Sequence, residues 1–425
     1  MIELVERYRT LYLFVVSFAI IGGLSSSILA PYVRNAGFDA AHYGLFAASI
    51  AMGSLIGGFL GGFLSDFINP TKLVVLSALF SASGYVTISI NGSESLVTAA
   101  LLLGLAGGVR GIAFFMLVLT LQSEKEGGLE KPIVAFQAIS LIATSVGMFL
   151  GWVPVIISSL TEANIVSVYR DALVLCGVAD IVSATALMFK LSGSTTRATR
   201  RAEAYVGDLD KVEWNSIAKL VVVGAVISFG AGLSVHIIDF YFTKKFGFDS
   251  GRLGTVMSVQ NLLMGLGMLA AQSISRELGN PLKTYIVISS MSVPLLVSMT
   301  FINSALLSSI IYTTRTLFVN IANPLYQAFE LSLVPERYRG RFLALMNVVN
   351  VVPAAVGRAV GGWLMTYDLE LPLRLTALIY TIAFLLLAIW FQKSAPRSAD
   401  LRKIGSIVAR TLIPFVRLYS KTLGL

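Results

Sequence analysis

The sequence predicts an all-α membrane protein: twelve transmembrane helices in two parallel six-helix repeats, with both termini in the cytoplasm. Three observations predict it. Composition comes first: the 425 residues have mean hydropathy +0.80 and only 13% charged residues, too few to solvate a protein of this size in water. The second is a series of apolar runs near 11–33, 42–66, 72–91, 96–120, 132–158, 168–190, 217–242, 251–274, 282–302, 305–332, 341–366 and 371–392. Each is about long enough to cross ~30 Å of hydrocarbon. The third is internal repetition at an offset of 209 to 210 residues.

Taken in order, the first run continues to Tyr32 without a small-residue cleavage site, so it reads as a retained helix and not as a signal peptide. The second is rich in glycine and closes in Gly57-Gly58-Phe59-Leu60-Gly61-Gly62-Phe63-Leu64-Ser65-Asp66, followed by an Asn69-Pro70 turn and Lys72. Small residues let a neighbouring membrane helix approach closely. Asn91-Gly92-Ser93 in the next loop is a formal glycosylation sequon. The fourth, tenth and eleventh runs carry Arg110, Arg315 and Arg358. Cys176, the only cysteine, falls in the sixth run, which excludes an internal disulfide and suits a buried, inert thiol.

The repeat is read from three blocks. Gly23-Leu24-Ser25 and Tyr32 recur as Gly232-Leu233-Ser234 and Tyr241; Gly37-Phe38-Asp39 and Gly44 recur as Gly247-Phe248-Asp249 and Gly254. Gln137, Gly147 and Gly151 correspond to Asn347, Gly357 and Gly361. An offset of six spans gives the two halves the same orientation. The domains are therefore 1–190, a cytoplasmic linker 191–216, a second bundle 217–393 and a basic amphipathic cytoplasmic tail 394–425. The tail mixes Arg402, Lys403, Arg410, Arg417 and Lys421 with apolar residues, as an interfacial segment does on anionic headgroups.

Charge fixes the orientation. With the N-terminus inside, 23 of the 32 Lys and Arg residues fall in cytoplasmic segments and 6 in outside loops, the other three being the intramembrane arginines. That bias is the positive-inside pattern, so the excess of basic residues is a topology signal and no nucleic-acid partner is expected. The partners are the bilayer and a small-molecule substrate, the chain is expected to be a monomer, and no cofactor or metal is called for.

Gly62, Leu64, Ser65 and Asp66 resemble the G-x-L-a-D segment between helices 2 and 3 of the major facilitator superfamily. Phe67, Asn69 and Pro70 depart from the basic and glycine residues usual there, and Lys72 is the one positive charge left. Pro335-Glu336-Arg337-Tyr338-Arg339-Gly340-Arg341 resembles the segment common before helix 11, and Arg110 resembles a helix 4 arginine. The resemblance covers nearly all of residues 10–393. It implies a secondary transporter of a cell membrane, with rocking of the two halves around a midplane cavity. It also implies a conformational latch of Gly62, Asp66, Lys72, Arg337, Arg339 and Arg341. Proton coupling is the default expectation. Family antiporters often carry a Gly-Pro pair in helix 5, where this chain has Gly151-Trp152 and proline only at Pro154.

The intramembrane polar residues are candidates because each costs free energy that a partner or a function must offset. Arg110, Gln137, Arg315, Asn320, Asn323, Gln327, Asn347 and Asn350 are the candidates to line a substrate cavity. Thr316, Asn320, Asn323, Gln327 and Glu330 follow 4-3-4-3 spacing on one helix face, beside Arg315. The arginines either meet an anionic substrate or cross-link helices through carboxylates. His236 and Asp239, three residues apart, together with Asp180 and Glu330, are candidates for proton coupling. His236 and Asp239 equally suit a structural capping pair, Asp180 suits pairing with a neighbouring helix better than coupling, and Glu330 suits a gate with the Pro335–Arg341 loop; Arg358 is a candidate partner for one of these acids. Helix 1 holds Ser25, Ser26 and Ser27 but no carboxylate, which disfavours organic cations.

Rival classes find little support. There is no H-E-x-x-H, no aspartyl-protease pattern and no nucleotide-binding loop, so no enzyme is expected. A proton-driven exporter of lipophilic compounds and a non-transporting sensor or assembly protein of the same fold remain as alternatives.

Overall fold

The computed structural model describes residues 2–90, 92–122, 130–191, 214–278, 281–335 and 338–391, with side chains at all of these except 2–9, 119–122, 130–138, 265–278, 281 and 321. The linker between the halves (but for its two ends), the basic tail, Arg337 and the side chain of Gln137 lie outside the described residues. Among the described residues every regular element is helical: α1 (Ile2–Asn35), α2 (Ala40–Leu64), α3 (Pro70–Ile88), α4 (Ser93–Gln122), α5 (Glu130–Phe149), α6 (Trp152–Thr161), α7 (Ile165–Leu191), α8 (Trp214–Ser234), α9 (Ile238–Phe246), α10 (Ser250–Leu278), α11 (Pro281–Ser290), α12 (Ser292–Met299), α13 (Ala305–Ser332), α14 (Arg339–Leu364) and α15 (Leu371–Trp390). Eleven helical stretches among them are long and apolar enough to cross a membrane. The helix expected near 251–274 is present as α10, outside those eleven.

Three expected helices are broken. Pro154 lacks the N–H that would bond the Leu150 carbonyl, and the chain turns at Leu150–Gly151, splitting one span into α5 and α6. Met291 separates α11 from α12, with Pro294 in the first turn of the latter. Between α8 and α9 the chain tightens into a 3-10 turn, Val235–Ile237, after Ser234 at φ −137°. Neither glycine nor proline marks that break.

The helix starts follow capping chemistry. Asp39 accepts the backbone N–H of His42 at 3.0 Å and lies 2.7 Å from its ring Nδ1, satisfying a free donor at the start of α2. Partial burial pushes the Asp39 carboxyl up, but the bonds from His42 outweigh it and hold the group below its ordinary value. Asn69 caps α3 through the Thr71 N–H, with Pro70 at the first helical position, where its missing donor costs nothing.

The described residues fall into two compact units. The first takes Met1–Gly207, Ala231–Leu262 and Asn350–Pro372, so α9 and parts of α8, α10 and α14 pack with the first six spans. The second takes Asp208–Gly230, Leu263–Val349 and Leu373–Leu425. Its core joins Ile217 and Leu220 of α8 to Phe342 and Met346 of α14, with Tyr326 and Phe329 of α13 against them.

Inside the first unit the sequence repeat becomes a repeat of contacts. A Cβ on Gly23 would stand 2.2 Å from the Thr144 carbonyl oxygen; on Gly232, the equivalent of Gly23, it would stand 2.3 Å from that of Ala354, the equivalent of Thr144. So α1 lies on α5 as α8 lies on α14. A second pair crosses between the sequence halves. Gly44 of α2 approaches the Arg358 carbonyl of α14, where a Cβ would be at 2.5 Å. Its repeat Gly254 of α10 approaches the Met148 carbonyl of α5, at 2.0 Å, and Met148 is the repeat of Arg358. That exchange is what a pseudo-two-fold axis between parallel repeats produces.

The glycines in the second half of α2 divide by face. Gly53, Gly57 and Gly61 of α2 meet Gly104, Gly108 and Val109 of α4, backbone against backbone, whereas a Cβ on Gly58 or Gly62 would meet nothing within 4 Å. The close approach expected of all four glycines therefore belongs to alternate ones, in a G-x-x-x-G register on both helices.

Candidate functional site

The polar residues group into three places. At the end of the first unit that carries the α1–α2 turn, the break before α9 points Asp239 at α2. The Tyr43 hydroxyl donates to its carboxylate, the Phe240 backbone N–H donates at 2.9 Å, and the Arg358 guanidinium of α14 lies within electrostatic reach. Arg358 Nη1 donates to the Ala47 carbonyl of α2 at 3.0 Å, while its Nε has no partner. The Tyr43 ring stacks on Phe240, centroids 4.9 Å apart. His236 lies in the 3-10 turn and is exposed.

Other groups fasten this end. Arg34 of α1 donates to the Thr243 carbonyl at 2.7 Å, close to the C-terminus of α9, where a positive charge is favoured. Lys245 pairs with Glu370 at 2.6 Å, and the Tyr241 hydroxyl donates to the same carboxylate. Trp152 Nε1 donates to Thr255 at 2.9 Å, and Ser250 Oγ donates to the Gly151 carbonyl at 2.6 Å. The sequence assigns no contact to Tyr43, Trp152 or Ser250, because a lone phenol, indole or hydroxyl in an apolar run carries no pattern. Their partners lie 81 to 196 residues away.

The second place is an ion pair within the first unit. Arg110 of α4 holds Asp180 of α7 through Nη2 at 2.8 Å, and it also reaches Ser77 and Ser81, both at 3.2 Å. The Ser81 hydroxyl donates to the same carboxylate, and the guanidinium stands 4.6 Å from the Phe18 ring centroid. Asp180 is 1% exposed. Opposite charges, hydroxyls and a π face thus compensate the buried carboxylate and the half-buried guanidinium.

The third place is α13. Arg315 is buried, its Nη2 donating to the Tyr380 hydroxyl at 3.2 Å. Asn320 bonds the Thr316 carbonyl of its own helix at 2.8 Å. Asn323 and Gln327 are exposed, as are Asn347 and Asn350 of α14. Glu330 is buried beside Tyr326, whose ring stacks on Tyr285 with centroids 4.4 Å apart. Of the expected latch, Gly62 faces open space, Asp66 and Lys72 are exposed, and Arg339 and Arg341 open α14. No group of three or more His, Cys, Asp or Glu suited to a metal occurs among the described residues.

Against this geometry, the family model for the Major Facilitator Superfamily matches residues 11–357, most of the chain. The chain belongs to that superfamily. It is therefore a multi-pass membrane protein with the fold of transporters. No curated protein matches it in sequence. Among solved structures it resembles the nucleoside transporter NupG at TM-score 0.73 and 13% identity, over 90% of this chain and 99% of the other. A bacterial homolog of the human lysosomal transporter Spinster, inward-facing and occupied, gives TM-score 0.69 and 12% identity, over 92% and 98%. A peptide transporter POT in complex with sulfate gives 0.66 and 14%, over 91% and 94%. At these identities the likeness is one of fold, and the family's members are distinguished by their sites.

Proposed function

We propose that the chain is a secondary transporter that moves a small solute across a cell membrane by alternating access, coupled to protons through Asp239. The observation that carries this reading is the Tyr43–Asp239–Arg358 cluster. It places a titratable carboxyl inside an apolar span, at a contact between α2 of the first sequence half and α9 and α14 of the second. Intramembrane carboxyls with such partners mark ion and proton pathways. Rocking of residues 1–190 against 217–393 parts α2 from α14, and with them Tyr43 from Asp239. The carboxyl then exchanges a phenol for water, and proton exchange becomes tied to opening. The termini lie in the cytoplasm in this reading, and twelve spans include α10.

The exposed amides Asn323, Gln327, Asn347 and Asn350 sit within apolar spans, and polar intramembrane faces of this kind line water-filled paths. In this reading they line the solute's route. Arg110 and Asp180 hold α4 to α7. Asp66 and Lys72 belong to a cytoplasmic latch with the start of α14, which includes Arg337, Arg339 and Arg341.

The test uses proteoliposomes holding a pH-sensitive dye and a panel of nucleosides, peptides, sugars, organic acids and lipophilic amines. At least one solute should drive proton movement in the wild type. Asp239→Asn should abolish that proton movement while preserving counterflow exchange of the same solute; normal proton flux in the variant would refute the role. Asp66→Asn should slow transport with little change in thermal unfolding, because Asp66 is exposed. An unchanged rate would remove Asp66 from the mechanism.

A further inference from the structure

The two arginines of the α4 and α13 helices, at comparable places in the two halves, are in opposite electrostatic states. Arg110 has a carboxylate, two hydroxyls and an aromatic face. Arg315 is 2% exposed and has a single hydrogen bond, to the Tyr380 hydroxyl, and that ring's face at 5.6 Å. Its Nε has no partner. Among the second-unit residues whose side chains are described, Glu330 is the one carboxylate, and it lies fifteen residues along the same helix. That is about 22 Å at the α-helical rise, too far to neutralise a guanidinium. A buried charge without a counter-charge is among the costliest arrangements a fold can hold.

The neighbouring donors are unsatisfied as well. Ser309 and Thr314 of α13 bond the carbonyls four residues back, Ala305 and Ile310, each at 2.8 Å. Thr316, next to Arg315, and Ser308, two turns earlier on the same face, are buried and make no hydrogen bond. The Arg315 Nε–H and two hydroxyls are therefore donors without acceptors. The stripe Thr316, Asn320, Asn323 and Gln327 runs from them to the exposed amides.

We propose that Arg315 is an anion site: with Ser308, Thr316 and Tyr380 around it, it binds a small monovalent anion between turns of α13 and α15. The anion is either a free inorganic ion or the carboxylate of the transported solute; the second case rests on the transporter reading above, the first does not. A guanidinium with orphaned hydroxyls matches either chemistry, since both supply lone pairs and one negative charge.

The test is thermal unfolding of detergent-purified full-length protein at constant ionic strength, with a bulky sulfonate as the reference anion. Chloride and acetate are the probes. In the wild type at least one should raise the unfolding midpoint by several degrees. A response to chloride alone identifies a free ion, and a response to acetate alone a carboxylate site. Arg315→Met should remove the response and, in sulfonate, should unfold at a higher temperature than the wild type, because it deletes an uncompensated charge. No response in the wild type overturns the site, as does a response that survives Arg315→Met. An Arg315→Met protein that unfolds earlier or fails to fold also overturns it, since the arginine would then be a structural cross-link. None of these readings requires transport, so failure of the site and failure of the transporter reading are separable.

Discussion

Arg110→Leu is expected to be the most destabilising single change in the charged core, and Asp180→Leu its near equal. Each leaves the other partner as a lone charge between α4 and α7, where Asp180 is 1% exposed. Breaking a buried pair from one side costs about 3–5 kcal/mol. Removing both charges leaves no orphan, so the double variant Arg110→Leu, Asp180→Leu should recover most of the loss. Thermal unfolding in detergent, read by intrinsic fluorescence, measures all three. Additive losses in the double variant would contradict the pairing. Ser77 and Ser81 keep a mutual environment in the double variant, because each also bonds a carbonyl of its own helix, Val74 at 2.7 Å and Ala78 at 3.2 Å.

Gly108→Val should match that loss through packing alone. A Cβ there would stand 2.2 Å from the Ser54 carbonyl oxygen and 2.5 Å from the Gly58 nitrogen, both backbone atoms that cannot rotate away. Separating α2 from α4 to admit the side chain opens the seam formed by Gly53, Gly57, Gly61 and Gly104. Overpacking ordinarily costs about 1–3 kcal/mol, and a rigid backbone contact places this site at or above the upper end. Gly107→Ala, one residue earlier, has nothing within 4 Å of its Cβ. It should be neutral or stabilising, by up to ~1 kcal/mol from helix propensity. Equal unfolding midpoints for the two variants would contradict the seam.

The contrast between Gly107 and Gly108 shows where sequence reading stops. Apolar runs of some twenty residues are legible because lipid demands them, and the repeat is legible because Gly23, Gly44, Gly147 and Gly151 have equivalents at offsets of 209 or 210 residues. Which glycine of a pair faces a neighbour depends on the rotation of the helix, and nothing local sets that. Gly58 and Gly62 look the same in the sequence as Gly57 and Gly61. Helix breaks divide in the same way. Pro154 and Pro294 announce the turns before α6 and at the start of α12, but Val235–Ile237 has no breaker. That turn arises where α9 is held by Tyr43, Arg34 and Glu370. Candidate charges were legible as types and not as states. Arg110 and Arg315 read alike, and only the positions of Asp180 and Tyr380 separate them.

The account's central claim is that the packed end of the first unit opens. Ser250 tests it most directly: it is 0% exposed, its Oγ donates to the Gly151 carbonyl, and its backbone N–H donates to the Tyr169 hydroxyl. Ser250→Cys is nearly isosteric, and replacing the sole native cysteine in Cys176→Ser leaves it as the only thiol. The measurement is the rate at which a membrane-impermeant maleimide labels this variant in proteoliposomes. The account predicts steady labelling, at a rate that a transported solute changes, as α10 parts from α5 and α6. No labelling over hours, while the detergent-unfolded protein labels fully, would contradict alternating access at this end.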